Sequence, residues 1–119
     1  VDIVYAAFDD MLSVAVAGNT CADLANVFAR RFDEAGIQYR PWMGYGMGLG
    51  LPGQSWCEPN GIRRADDTVL EPNMPLHHVP NFWVDELDGW ALIASETFRI
   101  TDDGPPELLA NFERSLFRK

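Results

Sequence analysis

The sequence predicts an α+β fold, with helices backing an antiparallel or mixed sheet. In the first 36 residues apolar side chains recur at helical spacing, whereas later segments are short and end at proline, glycine and asparagine turns. From residue 44 to residue 50, glycine occupies every second position, which is typical of one face of a strand. The predicted order is two helices, four or five strands and a last helix.

Two helices are predicted at the start of the chain. The first should run from residue 2 to about residue 16, with Gly18 just beyond its end. For the second helix, Thr20 is a typical N-cap residue, Asp23 holds the capping-box position and Gly36 is a typical C-cap glycine. The short connection between the helices favours an antiparallel hairpin.

The predicted strands follow the second helix. They cover residues 37–51, 62–65, 74–79, 82–84 and 90–101, and turns are predicted at residues 51–54, 71–73, 80–81 and 102–105. Pro106 suits the first turn of a last helix. The apolar face of that helix would consist of Leu108, Leu109, Phe112, Leu116 and Phe117.

The composition indicates one soluble globular domain, because 47% of the 119 residues are hydrophobic and 23% are charged. The formal net charge of -9 argues against nucleic acid or an anionic membrane as the partner. No apolar run approaches the roughly 20 residues of a membrane span, and acidic residues replace the basic start of a signal peptide. We therefore expect a cytoplasmic protein.

Cys21 and Cys57 are too few for a disulfide scaffold and lack the spacing of metal ligands, so reduced thiols are expected. The chain opens with Val1 instead of methionine, and a helical pattern begins almost at once. We expect this sequence to be an excerpt of a longer one.

Repeated glycines in a strand indicate that something approaches the backbone closely, either a ligand or a neighbouring element. A flexible glycine loop, or tight packing without a ligand, is the alternative. Tyr45 lies among these glycines, where it either donates a hydrogen bond to a ligand or forms an amphipathic wall.

His77 and His78 are adjacent, so in a strand they point to opposite faces and do not easily bind one metal ion together. Either one of them faces the glycine strand as a base or hydrogen-bond partner, or one is buried and the other lies at the surface. Glu96 lies in the best predicted strand, on the solvent face, which we favour, or paired in a pocket. Asp66 and Asp67 adjoin a turn, where solvated acids are ordinary.

The small chain contains four tryptophans, at Trp42, Trp56, Trp83 and Trp90. They either line a hydrophobic or cationic pocket, through cation–π contacts, or pack in the core or at a subunit interface. The sequence contains no serine-hydrolase elbow, no zinc-protease helix motif, no P-loop and no CxxC pair. These residues alone therefore do not name a reaction.

Four segments carry a family resemblance. They are Gly-Tyr-Gly-Met-Gly-Leu at residues 44–49, Thr-Val-Leu-Glu-Pro-Asn-Met at 68–74, Val-Pro-Asn at 79–81, and Ser-Glu-Thr-Phe-Arg-Ile-Thr-Asp-Asp-Gly at 95–104. In order and spacing they resemble the Gly-His-Gly-Ile-Gly-Leu, Leu-x-Pro-Gly-Met, Glu-Pro-Gly and Glu-Asp-Thr-x-x-Val-Thr-x-x-Gly segments of the creatinase, aminopeptidase P and methionine aminopeptidase superfamily. The resemblance implies that residues 1–119 are a single domain, the C-terminal portion of a pita-bread catalytic domain.

The family often carries two divalent metal ions, but its ligand positions hold other residues here. Its metal-binding histidine falls on Tyr45, and its substrate-contacting histidine falls near Pro52. The glutamate of Glu-Pro-Gly falls on Val79, and the bridging glutamate falls on Ser95, with Glu96 one place along. The family's two metal-binding aspartates lie upstream of the equivalent of the first residue. The resemblance therefore implies no metal cofactor and no dinuclear metallopeptidase activity.

Two interpretations follow from the resemblance. The parent protein is a pseudo-enzyme that keeps the fold for binding or dimerisation, or it is a metal-free relative, as creatinase is, with a small C–N hydrolysis or a lyase reaction. In the second case the catalytic residues would be Tyr45, His78 and Glu96. A small, positively charged substrate would suit the tryptophans, and the substrate-binding residues would be Trp42, Trp56 and Trp83.

A third interpretation does not depend on the family. It is a small α+β binding module that dimerises through exposed sheet and aromatic surface. The expected partners are a small molecule or peptide, and either a second copy of the chain or a missing N-terminal half. Nucleic acid and membranes are not expected.

Overall fold

The computed structural model describes residues 2–48, 57–83, 94–110 and 112–114. Within these residues the chain forms two helices and seven strands. The helices are α1 (Asp2–Ser13) and α2 (Cys21–Ala35), and the strands are β1 (Gln38–Tyr39), β2 (Gly44–Met47), β3 (Cys57–Gly61), β4 (Pro75–His78), β5 (Phe82–Trp83), β6 (Glu96–Arg99) and β7 (Glu107–Leu108). The predicted α+β class is confirmed.

The main sheet is antiparallel throughout its described part. Its strand order is β3-β2-β4-β6-β7, while β1 and β5 pair separately as a two-stranded sheet. Neither described helix has the length and apolar character that crossing a bilayer requires.

The pairing register divides the side chains between the two faces of the main sheet. His78 pairs with Glu96, whereas His77 pairs with Tyr45 on one side and with Thr97 on the other. Because alternate residues of a strand share a face, Tyr45, His77 and Thr97 lie on one side. We call that side the Tyr45 face and the opposite side the helix face.

Both helices pack against the helix face. Phe8 of α1 and Phe28 of α2 contact the ring of His78, with centroids 5.3 and 4.4 Å apart. Burial of such apolar side chains is the main force that holds the layers together. Large, fully buried side chains of this core include Met11, Leu24, Phe28, Phe32, Leu76 and Phe98.

The second helix has the ends that the sequence predicts. The Thr20 hydroxyl accepts a hydrogen bond from the Asp23 N–H, and the Asp23 carboxylate accepts one from the Thr20 N–H. Gly36 closes the helix with a φ of 67°, in the left-handed region that favours glycine.

The first helix ends earlier than predicted, at Ser13 instead of near residue 16. Beyond it the Gly18 N–H donates to the carbonyl of Leu70 at 2.9 Å. A distant segment therefore supplies the hydrogen bond that a further helical turn would have made. The predicted turn at residues 71–73 is confirmed, and Asn73 has a φ of 68°.

The strand predicted at residues 62–65 is wrong, because these residues form bends and a turn. The strand lies just before them, as β3, and the Asp66 carboxylate accepts a hydrogen bond from the N–H of Gly61 at 2.7 Å. This side chain satisfies the last N–H of the strand and turns the chain away from the sheet.

Within the described residues, the predicted last helix is also wrong. Glu107 and Leu108 form β7, which pairs with β6, and the Leu109 N–H donates to the Thr97 carbonyl at 2.9 Å. Arg99 forms an ion pair of 2.7 Å with Glu107 across this strand pair. Pairing with an open sheet edge thus outweighs the apolar spacing, and Phe112 remains 81% exposed. Leu116 and Phe117 lie outside the described residues.

The long strands predicted at residues 37–51 and 90–101 are shorter in the described part. The first is divided into β1 and β2, and the second is represented by β6 alone. The remainder of both predictions, at 49–51 and 90–93, and the predicted turn at 51–54 fall outside the described residues.

Candidate functional site

Neighbouring parts of the protein approach β2 so closely that two of its positions need glycine. A Cβ atom on Gly44 would lie 2.4 Å from the carbonyl oxygen of His77 and 3.0 Å from the side chain of Ile62. A Cβ atom on Gly46 would lie 2.4 Å from the side-chain oxygen of Asn60. Of the two alternatives that the sequence left open, close packing of the protein itself accounts for these positions.

Tyr45 forms the centre of an aromatic group on the Tyr45 face. Its ring stacks on Trp42, with centroids 5.4 Å apart, and contacts the His77 ring at 5.3 Å. Tyr45 is 7% exposed whereas Trp42 is 44% exposed. The indole therefore shields the phenol and presents an aromatic surface to solvent.

His77 is the imidazole that shares a face with Tyr45. Its Nδ1 lies 2.8 Å from the Thr97 hydroxyl, which fixes the orientation of the ring. Burial lowers the pKa of His77 below its ordinary value of 6.5, so the ring is neutral at pH 7. If Nδ1 donates to Thr97, the remaining nitrogen, Nε2, has a lone pair that accepts a proton.

His78 points the other way. It is 1% exposed, and burial, with a smaller contribution from His77, lowers its pKa to about 3. Glu96 lies opposite it in the register, with its side chain 14% exposed and 3.7 Å from Arg114. The favoured solvent-facing position of Glu96 is therefore wrong, and the structure does not bring Tyr45 together with His78 and Glu96.

An open groove of about 560 Å³ adjoins the Tyr45 face, and it is lined by Pro41, Trp42, Arg63, Arg64 and Ala65. Arg63 forms an ion pair of 3.3 Å with Asp66, and Arg64 pairs with Asp33. The exposed side chain of Trp42 lines the same groove. The two arginines that line this groove do not suit the cationic substrate that the tryptophans suggested.

The structure does not test whether the other two predicted substrate-binding tryptophans lie beside Trp42. Trp56 lies outside the described residues. The backbone of Trp83 belongs to β5, where it pairs with Gln38 in the small separate sheet.

Asp66 is a structural residue that the sequence analysis misjudged as a solvated acid. It is 7% exposed and accepts hydrogen bonds from the N–H groups of Gly61 and Thr68. Burial raises the pKa of this carboxyl, but the hydrogen bonds from Thr68 and Gly61 outweigh that effect and lower it overall. A buried position next to Arg63 was not detectable from the turn-like local sequence.

Few donor atoms for divalent ions lie on the described part of the Tyr45 face. Among the described residues, no three histidine, cysteine, aspartate or glutamate side chains come together in a way that could hold a metal. The Tyr45 face offers one imidazole, at His77, and its Glu107 is paired with Arg99 at the sheet edge. Dinuclear sites need several carboxylate and imidazole ligands.

Comparison with known proteins agrees with the motif resemblance. Residues 1–103 match metallopeptidase family M24. The chain is 38% identical over 106 residues to an uncharacterized hydrolase/peptidase, y4tL, of Sinorhizobium fredii, covering 88% of this chain and 25% of the relative. It is 37% identical over 110 residues to ectoine hydrolase of Halomonas elongata, covering 91% and 26%.

A solved structure shows the same fold. The crystal structure of X-Pro aminopeptidase from Thermotoga maritima superposes with a TM-score of 0.82 at 24% identity, covering 98% of this chain and 31% of that protein. The present chain spans about a quarter of the length of the curated relatives that it matches. The pita-bread assignment is confirmed, and the chain belongs to metallopeptidase family M24.

Proposed function

We propose that this chain supplies part of the active site of a creatinase-like C–N hydrolase that acts without a pair of metal ions. Its substrate is a small molecule that carries a carboxylate. The observation that supports this most strongly is the His77–Thr97 pair on the Tyr45 face, where a neutral and oriented imidazole lies beside an aromatic wall.

The replaced ligand positions support a metal-independent reaction. Tyr45, Val79 and Ser95 stand where the family resemblance has a histidine and two glutamates. Phenol, isopropyl and hydroxyl groups together do not substitute for such a ligand set. The proton transfers of hydrolysis then need a base from the protein itself.

His77 is the base in this proposal. Its imidazole accepts a proton from water as the water oxygen forms a bond to the electrophilic carbon of the substrate. When the C–N bond breaks, the imidazolium returns that proton to the leaving nitrogen, so the ring ends neutral. Thr97 and Tyr45 hold the ring in position and do not exchange protons with the substrate.

The arginine-lined groove supports the substrate class. Arg63 and Arg64 offer guanidinium groups that bind a carboxylate with fixed geometry, and Trp42 covers the apolar part of a small ligand. The relative that is an ectoine hydrolase makes ectoine the first substrate to test. We propose that residues outside this chain complete the site, since the relatives are about four times longer.

The test is an assay of ectoine hydrolysis by the longest natural form of the chain, in the presence of a strong metal chelator. NMR monitors the reaction. We expect turnover to persist with the chelator. His77→Gln should lower kcat by about 10²–10⁴-fold, the range for loss of a general base. Thr97→Val should lower kcat without a matching change in KM, because it affects only the orientation of His77.

Thr101→Val is the matched control, since the Thr101 hydroxyl contacts the carbonyls of residues 103–105 at the sheet edge and not the site. It should leave turnover unchanged. Activity that the chelator abolishes and Mn²⁺ restores would overturn the metal-free proposal. Full activity of His77→Gln would overturn the assignment of the base, and no turnover of ectoine or other small C–N substrates would favour a pseudo-enzyme.

A further inference from the structure

His78 is anomalous among the buried polar side chains of the described residues. Its ring is 1% exposed, yet neither Nδ1 nor Nε2 has a hydrogen-bond partner. Leaving a buried polar atom without a partner is costly, so such atoms usually bind an ordered water or an ion. The anomaly lies on the helix face, away from the site proposed above.

A small cavity adjoins this ring. Its volume is about 20 Å³, which exceeds the roughly 10–15 Å³ needed to hold one water molecule. It lies between α1 and the start of β6, and its lining includes Phe8, His78, Glu96 and Arg114. The cavity is too small for a larger ligand.

The walls of the cavity combine apolar packing with polar groups. The Arg114 guanidinium lies 4.5 Å above the Phe8 ring, forms an ion pair of 2.6 Å with Asp9 and approaches Glu96 at 3.7 Å. Arg114 thereby closes the cavity on the side of the C-terminal segment. A water inside would find an acceptor in Glu96 and an unpartnered nitrogen in His78, which meets the need for two to four polar partners.

We propose that this cavity is a binding site for a single water molecule, which bridges the imidazole of His78 and the carboxylate of Glu96. The water links β4 and β6 beneath α1 and satisfies the ring nitrogen that faces the cavity. This assigns Glu96 to an interior polar site and not to the Tyr45 face. The proposal does not depend on the proposed hydrolase activity.

Other occupants fit less well. No third metal-ligating side chain joins His78 and Glu96 within the described residues, which disfavours a metal ion. A protonated His78 bonded directly to Glu96 is disfavoured because burial strongly lowers the pKa of His78. An empty cavity would leave the buried imidazole of His78 unsolvated.

The decisive experiment is a high-resolution crystal structure of the longest natural form of the chain. We expect one ordered water within about 3.2 Å of a ring nitrogen of His78 and of a Glu96 oxygen. His78→Phe should lose this water, whereas the control His77→Phe, on the opposite face, should retain it. An empty cavity in the unaltered protein, or a direct protein partner for both ring nitrogens, would overturn the proposal.

A solution measurement tests the same site by altering Arg114, which closes the cavity. Arg114→Met should open the cavity and shorten the residence time of the water, detected as a weakened NMR cross-peak between water and the His78 ring protons. Arg99→Met removes a comparable ion pair at the far edge of the sheet and should leave that cross-peak unchanged. Absence of the cross-peak in the unaltered protein would contradict a long-lived bridging water.

Discussion

Asp66 shows how one buried carboxylate sets the local path of the chain. One of its oxygens accepts a hydrogen bond from the N–H of Gly61, which ends β3, and the other accepts one from the N–H of Thr68. The next residue, Val69, pairs with Thr20 at the start of α2. Hydrogen bonds from backbone N–H groups to a charged acceptor are among the stronger ones in proteins. The turn at residues 62–65 therefore depends on a side chain that follows it.

We predict that Asp66→Asn lowers the free energy of unfolding by about 1–3 kcal/mol, because an amide supplies only one acceptor oxygen where two N–H groups require one each. Chemical denaturation measures the change. Asp67→Asn is the matched control, because the side chain of Asp67 is exposed. This substitution should change the free energy of unfolding by less than about 0.5 kcal/mol. Equal effects of the two substitutions would contradict the buried role of Asp66.

His78 predicts a pH dependence of stability. Burial lowers its pKa from 6.5 to about 3 in the folded state, so below pH 6.5 the unfolded chain binds a proton that the folded chain excludes. The stabilisation is fully present above pH 6.5 and is lost as the pH falls toward 3. The slope can reach about 1.4 kcal/mol per pH unit.

Denaturation curves between pH 7 and pH 4 test this prediction. His78→Phe should flatten the pH dependence in that window. His77→Phe should flatten it less, because burial lowers the pKa of His77 as well but leaves that ring partly exposed. A pH dependence unchanged by His78→Phe would show that this imidazole does not resist protonation in the folded protein.

At the level of elements, β2 is confined by its neighbours on the helix face. We predict that Gly44→Ala destabilises the protein by about 1–3 kcal/mol, because its Cβ would meet the backbone carbonyl of His77 at 2.4 Å and the sheet would have to shift. Gly46→Ala should cost less, since its Cβ would meet the movable side chain of Asn60.

Asn60→Ala provides the control for this pair. It should rescue much of the loss caused by Gly46→Ala and none of the loss caused by Gly44→Ala, as measured by a double-mutant cycle on unfolding free energies. Rescue of Gly44→Ala by the same substitution would contradict the distinct contacts of the two glycines.

At β7 the chain forms a strand where the sequence pattern favours a helix. Apolar spacing favours a helix there, but the spare N–H and C=O groups of β6 offer hydrogen bonds that a local pattern does not reveal. The Arg99–Glu107 pair then contributes across the two strands. An edge that exists only after the sheet has formed decides the outcome.

At the level of the whole molecule, the family resemblance and the arrangement of donors lead to a metal-binding prediction. Calorimetric titration of the longest natural form with Mn²⁺, Co²⁺ and Zn²⁺ should give no tight binding at a dinuclear site. The reason is that the Tyr45 face offers a single imidazole at His77 and no group of three ligands among the described residues. Xylenol-type metal indicators provide an independent readout.

Binding of two ions per chain, with release of protons, would contradict this prediction and place ligands in residues outside the described part. Binding that His77→Gln abolishes would identify His77 as a ligand and not a base. The titration is therefore best made on both forms, under the conditions used for the hydrolysis assay.

The sequence alone determined the α+β class, the capped second helix, the turn at residues 71–73 and the family, because these depend on local spacing and on short motifs in a fixed order. It also predicted that the two histidines point to opposite faces. It did not determine which histidine joins Tyr45, because that depends on the register between strands distant in the chain. Tertiary structure alone decided the burial of Asp66, the position of Glu96 beside Arg114 and the strand at β7, since each depends on polar groups that other segments bring together.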